Sequence, residues 1–494
     1  MARQLANDDG SRDGPWITRR RDYLTLLVGL SGALSGCPGG TSPAGQGGTP
    51  FPSATARNAL FGASVAIDGE TALVGASQMT KGENTDVDTD VAFVFSREGE
   101  EWTPETTLRP DRPASGFGES VALAGDTALI AAREDSRQDP ESTEVNGEPD
   151  AETGDQMGAV FAFSRTSEGW VRDITITPSD AGSWDKFGHS LAMDGDTAVI
   201  GAWLDEDPNG TEGGSAYIFK RTEDGWTEQA KLAGDHQDAH FGAAVAIDGD
   251  TAIVCANQDE TPNGPDEGAA YVFVRGQQEW SRQAKLFVEH KLNGAVLGES
   301  VAVDGNTAFV GAPRENTVYV FSRTADEWSM QKELYPEDVE QREGRVGMDP
   351  GDTFGGSIAL TTDVALVGAP TQDDGDSSRA GSVYVYTRTE GDWRRQAKLI
   401  ADDGDSRDAF GTAVALAGDT ALVTAPHDED TDGGFAGTTH TFVRSNGTWE
   451  RQAELTASAV GPFETATDPT QSPSASPEMT RSPSQNTTAM SLDE

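Results

Sequence analysis

The sequence is poor in positive charge, in sulfur and in long apolar runs. Only eight of its 494 residues are lysine (Lys81, Lys186, Lys220, Lys231, Lys285, Lys291, Lys332 and Lys398), and 36 Lys+Arg face 83 Asp+Glu, a formal charge of −47. A surface this negative repels phosphate backbones and anionic headgroups, which excludes a basic-patch nucleic-acid binder. Acid excess with scarce lysine suits a protein kept soluble in strong brine, where exposed charges are screened within about 3 Å at 1 M salt. A halophilic source is expected. The two cysteines, Cys37 and Cys255, cannot build a disulfide framework. No long segment carries helical periodicity, which excludes a helical fold. The six histidines, His189, His236, His240, His290, His427 and His440, lack zinc-type spacing. Neither a nucleophile elbow nor a Gly-rich phosphate loop is present. With no catalytic constellation visible, no enzyme is expected.

The longest apolar run, Leu24–Leu34, is shorter than the about 20 residues a membrane-spanning helix needs, and fits the apolar region of a secretory signal. Arg20-Arg21 with Tyr23-Leu24 after them resemble a twin-arginine export signal. Leu34-Ser35-Gly36-Cys37 resembles a lipobox, which implies cleavage before Cys37 and its lipidation. Residues 1–36 are therefore expected to be an export signal. Residues 37–58, rich in Gly, Ser, Thr and Pro, follow as the lipidated cysteine and a flexible tether. Residues 457–494, dominated by Ser, Thr, Pro and Ala, cannot bury a core and are expected to be a disordered tail. The implied location is the outer face of the cytoplasmic membrane, reached through the lipid alone.

Between these flanks, residues 59–456 repeat one unit seven times. Phe61-Gly62, Phe117-Gly118, Phe187-Gly188, Phe241-Gly242, Leu297-Gly298, Phe354-Gly355 and Phe410-Gly411 open the units at spacings of 56, 70, 54, 56, 57 and 56. Each opening leads to a small, apolar second run such as Thr71–Ala76. A variable acidic stretch follows, then an aromatic β-run such as Tyr217-Ile218-Phe219. A tryptophan closes the unit, with an apolar residue six positions on, as in Trp102 and Leu108. Asp68-Gly69 and Asp248-Gly249 mark tight hairpins. Four short strands in about 56 residues, repeated seven times, predict an all-β fold: a seven-bladed β-propeller of four-stranded antiparallel blades. Trp and the later Leu are expected to pack between blades. Cys255 occupies the place that Gly75, Gly201, Gly311 and Gly368 hold in other units, so a small buried thiol is expected there.

The motif that is complete in Thr353-Phe354-Gly355 with Gly368-Ala369-Pro370 resembles the FG-GAP repeat of integrin α-subunit propellers and related prokaryotic surface proteins. The departures are Leu297 for Phe, Thr362-Asp363 for the Asp-Gly turn and Ala132-Arg133 for Ala-Pro. The resemblance implies a cell-surface binding or adhesion module, whose partner is an extracellular protein or a glycan, acting as a monomer.

Strand alternation puts the constant hairpins on one face and the connections of variable length on the other. Arg133–Met157 and Tyr335–Thr353 are the long ones, and binding residues concentrate on such loops. Two of these connections have alternating oxygen ligands before a glycine: Asp205, Asp207 and Asn209, and Asp428, Asp430 and Asp432. Calcium, which takes six to eight oxygens, is the one cofactor this spacing admits. The alternatives are a propeller enzyme cleaving glycans, as hydrolase or lyase, and a structural envelope component. An enzyme should break the repeat with unique polar residues at the channel mouth, and the seven units look uniform.

Overall fold

The computed structural model describes residues 60–77, 90–112, 114–135, 156–206, 212–262, 264–277, 279–288, 296–336, 353–373, 378–402, 404–429 and 436–457. Arg20, Arg21 and Cys37, with the tether and nearly all of the tail, lie outside the described residues. The described chain forms 28 strands in seven four-stranded antiparallel sheets, with a single 3-10 turn at Pro313–Glu315. Each sheet is contiguous in sequence. Blade 1 is Leu60–Asp68, Thr71–Ser77, Val91–Glu98 and Glu101–Leu108, and blade 7 is Val414–Ala417, Thr420–Ala425, Thr438–Ser445 and Thr448–Leu455. This is the expected seven-bladed β-propeller. The first strands of successive blades lie side by side around the channel, with blade 7 beside blade 1. No strand is exchanged between the two ends of the ring.

Blades bury apolar surface mainly against each other. One core cluster joins Leu73, Val94 and Leu108 of blade 1 to Phe117, Ile130, Phe161 and Trp170 of blade 2. Another joins Phe61, Phe93 and Trp102 of blade 1 to Leu422 and Leu455 of blade 7. The phenylalanine of each Phe-Gly pair sits edge-on to two third-strand side chains, as Phe61 does to Phe93 and Phe95 at 5.3 and 6.1 Å. Leu297 fills the same role in blade 5 with no exposure.

The closest inter-blade approach explains the small residues. A methyl group on Gly75 would lie 2.0 Å from Gly118 O, and one on Gly201 would lie 2.1 Å from Gly242 O. The residues opposite, Ser64 and Ser190, donate Oγ–H to those same carbonyls at 2.8 Å. Ser300 and Ser357 repeat the bond in blades 5 and 6. Blade 4 redistributes this volume by placing Ala244 opposite Cys255. Cys255 is fully buried against Gly298, and burial pushes its thiol pKa up, so it packs rather than reacts.

The hairpin face is a hydrogen-bond lattice. Near the end of the third strand in six of the seven blades an arginine reaches back to the threonine that opens the second strand of the preceding blade. Arg165 bonds Thr71 at 3.1 Å, Arg275 bonds Thr197 at 2.9 Å and Arg323 bonds Thr251 at 3.0 Å, with Arg221–Thr127 and Arg388–Thr307 alike. Asp68, Asp194 and Asp248 add bonds to the turn N–H of Gly125, Gly249 and Gly305 in the next blade, at 2.6–2.7 Å. This face is devoted to holding the ring together.

Candidate ligand site at the mouth of the channel

On the opposite face, three residues of each repeat stand where the innermost strands meet the loops: the one before Phe-Gly, the one after it, and the one following the second strand. In blade 1 these are Leu60, Ala63 and Ser77. In blades 5, 6 and 7 the last position is Pro313, Pro370 and Pro426. Blades 2, 3 and 4 place Arg133, Trp203 and Asn257 there instead, and add Glu119, Lys186, His189 and His240 at the other two positions. The uniformity read from the sequence therefore fails on this arc.

The side chains of Glu119, Arg133, His189, Trp203 and His240 form one chain of contacts. Arg133 Nε ion-pairs with Glu119, and Arg133 Nη1 donates to His189 Nδ1 at 3.2 Å. His189 stacks on Trp203 with ring centres 4.7 Å apart, and His240 meets Trp203 edge-to-face at 4.5 Å. His240 Nε2 lies 3.7 Å from Glu212, and Lys186 reaches Glu134 at 3.5 Å and also Gln156. The described ends of the long blade-2 loop, Arg133 and Gln156, thus both belong to this arc.

Burial tunes these groups. Desolvation pushes the Glu119 carboxyl up to about 7, opposed by Arg133 and assisted by Glu134. Desolvation, with Arg133, His240 and Lys186 nearby, holds His189 down to about 3, so its imidazole is neutral. Burial likewise lowers His240 against the pull of Glu212. The arc thus combines a carboxyl whose pKa burial raises, two imidazoles whose pKa burial lowers, and an indole.

Of the candidate calcium ligands, Asp205 and Asp428 are described. Asp207, Asn209, Asp430 and Asp432 lie outside the described residues. Asp205 is 4% exposed, and its Oδ2 accepts bonds from Tyr217 Oη at 2.8 Å and Lys231 Nζ at 2.9 Å. Asp259 takes the same place under Tyr271, Glu315 under Tyr319 and Gln372 beside Tyr384. That recurrence gives Asp205 an architectural role beneath the loops. Asp428 accepts from Thr438 Oγ1 at 2.5 Å. Among the described residues, no three His, Cys, Asp or Glu side chains are grouped to hold a metal.

Sequence reasoning marked Ala132-Arg133 as a departure and noted His189 and His240 as histidines without zinc-type spacing, without joining them. It missed Glu119, Trp203 and Asn257. The available signal was the column after Gly-Ala, which is proline in units five to seven and Arg133, Trp203 and Asn257 in units two to four.

The FG-GAP repeat family matches residues 170–219, 226–273, 347–386 and 393–442. Three of these stretches run from the fourth strand of one blade into the third strand of the next. No curated protein matches the chain in sequence. Among solved structures, a proposed 6-phosphogluconolactonase from Bacteroides uniformis is 11% identical over 78% of this chain and 96% of its own, with a TM-score of 0.49. A second, from Bacteroides fragilis, is 14% identical over 82% and 97%, with a TM-score of 0.49. The periplasmic gluconolactonase of Pseudomonas aeruginosa is 13% identical over 78% and 95%, with a TM-score of 0.47. Likeness at these identities concerns the fold and carries no activity over to this chain.

Proposed function

We propose that this chain is a lipid-anchored cell-surface binding module that captures an extracellular ligand, protein or glycan, at the channel mouth formed by blades 2–4. The observation that carries the reading is where the repeat breaks. The hairpin face repeats an Arg–Thr lattice, whereas Arg133, Lys186, His189, Trp203 and His240, which have no counterpart in blades 1, 5, 6 and 7, gather on one arc of the loop face. A residue repeated in every blade serves the ring, and a residue unique to one arc on variable loops is free to serve a ligand. The anchor rests on Arg20-Arg21 and Cys37.

Two experiments test this reading. Replacing Arg20 and Arg21 with lysine should leave precursor inside the cell, and Cys37→Ser should release the protein to the medium; membrane retention of Cys37→Ser overturns the anchor. A glycan array and a surface-protein pulldown in molar salt should give capture that Arg133→Ala abolishes. Capture that survives Arg133→Ala, yet is lost when the Asp-Gly hairpins are altered, places the ligand on the wrong face.

One observation favours a second reading, a glycan-cleaving enzyme. A carboxyl held near pH 7, as Glu119 is, is what a general acid requires. Turnover of a polysaccharide that Glu119→Gln eliminates while binding persists would establish it.

A further inference from the structure

We propose that the blade 2–4 arc takes a neutral, hydroxyl-rich ligand, namely a sugar ring rather than an anion. The inference rests on reading this arc as the capture site and adds the chemical class of what it captures.

The first argument is polar satisfaction. Three buried atoms of the arc have no hydrogen-bond partner in the protein: Trp203 Nε1, His240 Nδ1 and Asn257 Oδ1. His240 is 7% exposed and its ring packs on Trp203. Buried polar groups are normally bonded, and each exception calls for an occupant. The three are of mixed polarity. The indole N–H can only donate, the amide oxygen accepts, and a neutral imidazole nitrogen does either. A hydroxyl donates and accepts at one atom, so adjacent hydroxyls on a ring satisfy both kinds. A phosphate or carboxylate only accepts, and leaves Asn257 Oδ1 unmet.

The second argument is charge. The two cations of the arc are already engaged, Arg133 by Glu119 and His189, and Lys186 by Glu134 and Gln156. Glu212 stands on the far side of His240. An anion would have to break these pairs inside a chain of formal charge −47, whereas a neutral ligand leaves them intact.

The third argument is shape. Trp203, His189 and His240 form one aromatic cluster that carries the unmet Trp203 Nε1 and His240 Nδ1. Trp184, 49% exposed with Lys186 against its ring, adds an open aromatic face beside Lys186. Aromatic faces next to mixed donors and acceptors match the two sides of a pyranose, C–H on one and O–H on the other.

The test uses the full-length protein in molar KCl. The probes are the methyl glycosides of glucose, galactose and mannose, with sodium glucuronate and inorganic phosphate as anionic arms. Tryptophan fluorescence and saturation-transfer NMR read binding. At least one neutral glycoside should bind, and Trp203→Phe, which keeps a ring but removes the N–H, should weaken it by about tenfold at unchanged melting temperature. If Trp203→Phe lowers the melting temperature, Asn257→Ala removes an acceptor without disturbing the indole and should weaken binding comparably. Tighter binding of glucuronate or phosphate than of every neutral glycoside overturns the proposal. So does the absence of any glycoside binding together with a crystal structure showing only ordered water on the three atoms. Protein capture that Arg133→Ala abolishes, without glycoside binding, refutes the sugar and leaves the capture reading standing.

Discussion

Arg97 of blade 1 donates from Nη1 to Thr420 Oγ1 of blade 7 at 2.6 Å, across 323 positions of sequence. It is the same bond that Arg165 makes to Thr71 between blades 1 and 2, so the ring closes with its repeated inter-blade contact and needs no exchanged strand. The closing seam lacks the aspartate bond that Asp68 makes to Gly125 at the next seam. Ala417 stands where blade 1 has Asp68, and a groove of about 680 Å³ opens between Asp68, Arg97, Asp419 and Arg444. Removing the bond with Thr420→Val should cost ~1–3 kcal/mol by denaturant titration, since the donor is charged. Hydrogen exchange should rise first in Leu60–Asp68 and Thr448–Leu455. Uniform exchange around all seven seams would show that closure does not depend on this bond.

Blade 6 offers the converse experiment. Its second strand opens with Val364 instead of threonine, and Arg444 of blade 7 turns to Asp419 at 2.8 Å. Val364→Thr supplies the missing acceptor and should stabilise the ring by about 1 kcal/mol. A loss of stability would mean that Val364 packing outweighs the lattice bond.

Gly201 and Cys255 hold equivalent positions with opposite tolerance. A methyl group on Gly201 would meet Gly242 O at 2.1 Å, so Gly201→Ala should cost ~2–3 kcal/mol through blade displacement. Cys255→Ala, beside Ala244, removes one sulfur and should cost ~1 kcal/mol. Paired melts that rank the two the other way would refute the packing account.

Glu119 makes stability pH-dependent in a defined window. Its folded pKa is raised from 4.5 to about 7, so the folded state holds the proton more tightly than the unfolded chain. The stabilisation is full below pH 4.5 and is lost as pH rises through 7. His189 acts in the opposite sense: lowered from 6.5 to about 3, it costs stability as pH falls below 6.5. The difference between Glu119→Gln and wild type isolates the first effect. Glu119→Gln should gain on wild type between pH 4.5 and 8, by about 3 kcal/mol as an upper bound. A pH-independent difference would remove the buried-acid reading.

The −47 balance predicts that the melting temperature climbs between dilute buffer and molar KCl, as salt screens the repulsion among acids. A flat profile would end the halophilic reading.

The blades were legible because each unit states its strands locally. Asp68-Gly69 predicts a hairpin, and the hairpin is there between Leu60–Asp68 and Thr71–Ser77. Seven copies then leave few topologies. The candidate site was only partly legible. Glu119 and Arg133 are 14 positions apart in one blade, and Trp203 and His240 belong to the next two. No local pattern joins them, and the acidic spacing of Asp205, Asp207 and Asn209 was the louder signal.

By itself the sequence determined the strand order, the blade number, the small residues at each seam and the charge of the surface, because all of these follow from periodicity and composition. Only the tertiary structure decided that Asp205 is buried beneath Tyr217 and Lys231, that Arg97 closes the ring on Thr420, and that Glu119, His189, Trp203 and His240 form one arc. The reason is geometric. Curving the sheets into a ring sets the ends of successive inner strands beside one another, so residues some 50 to 70 positions apart in sequence become neighbours within a few ångströms, at a distance no local reading can measure.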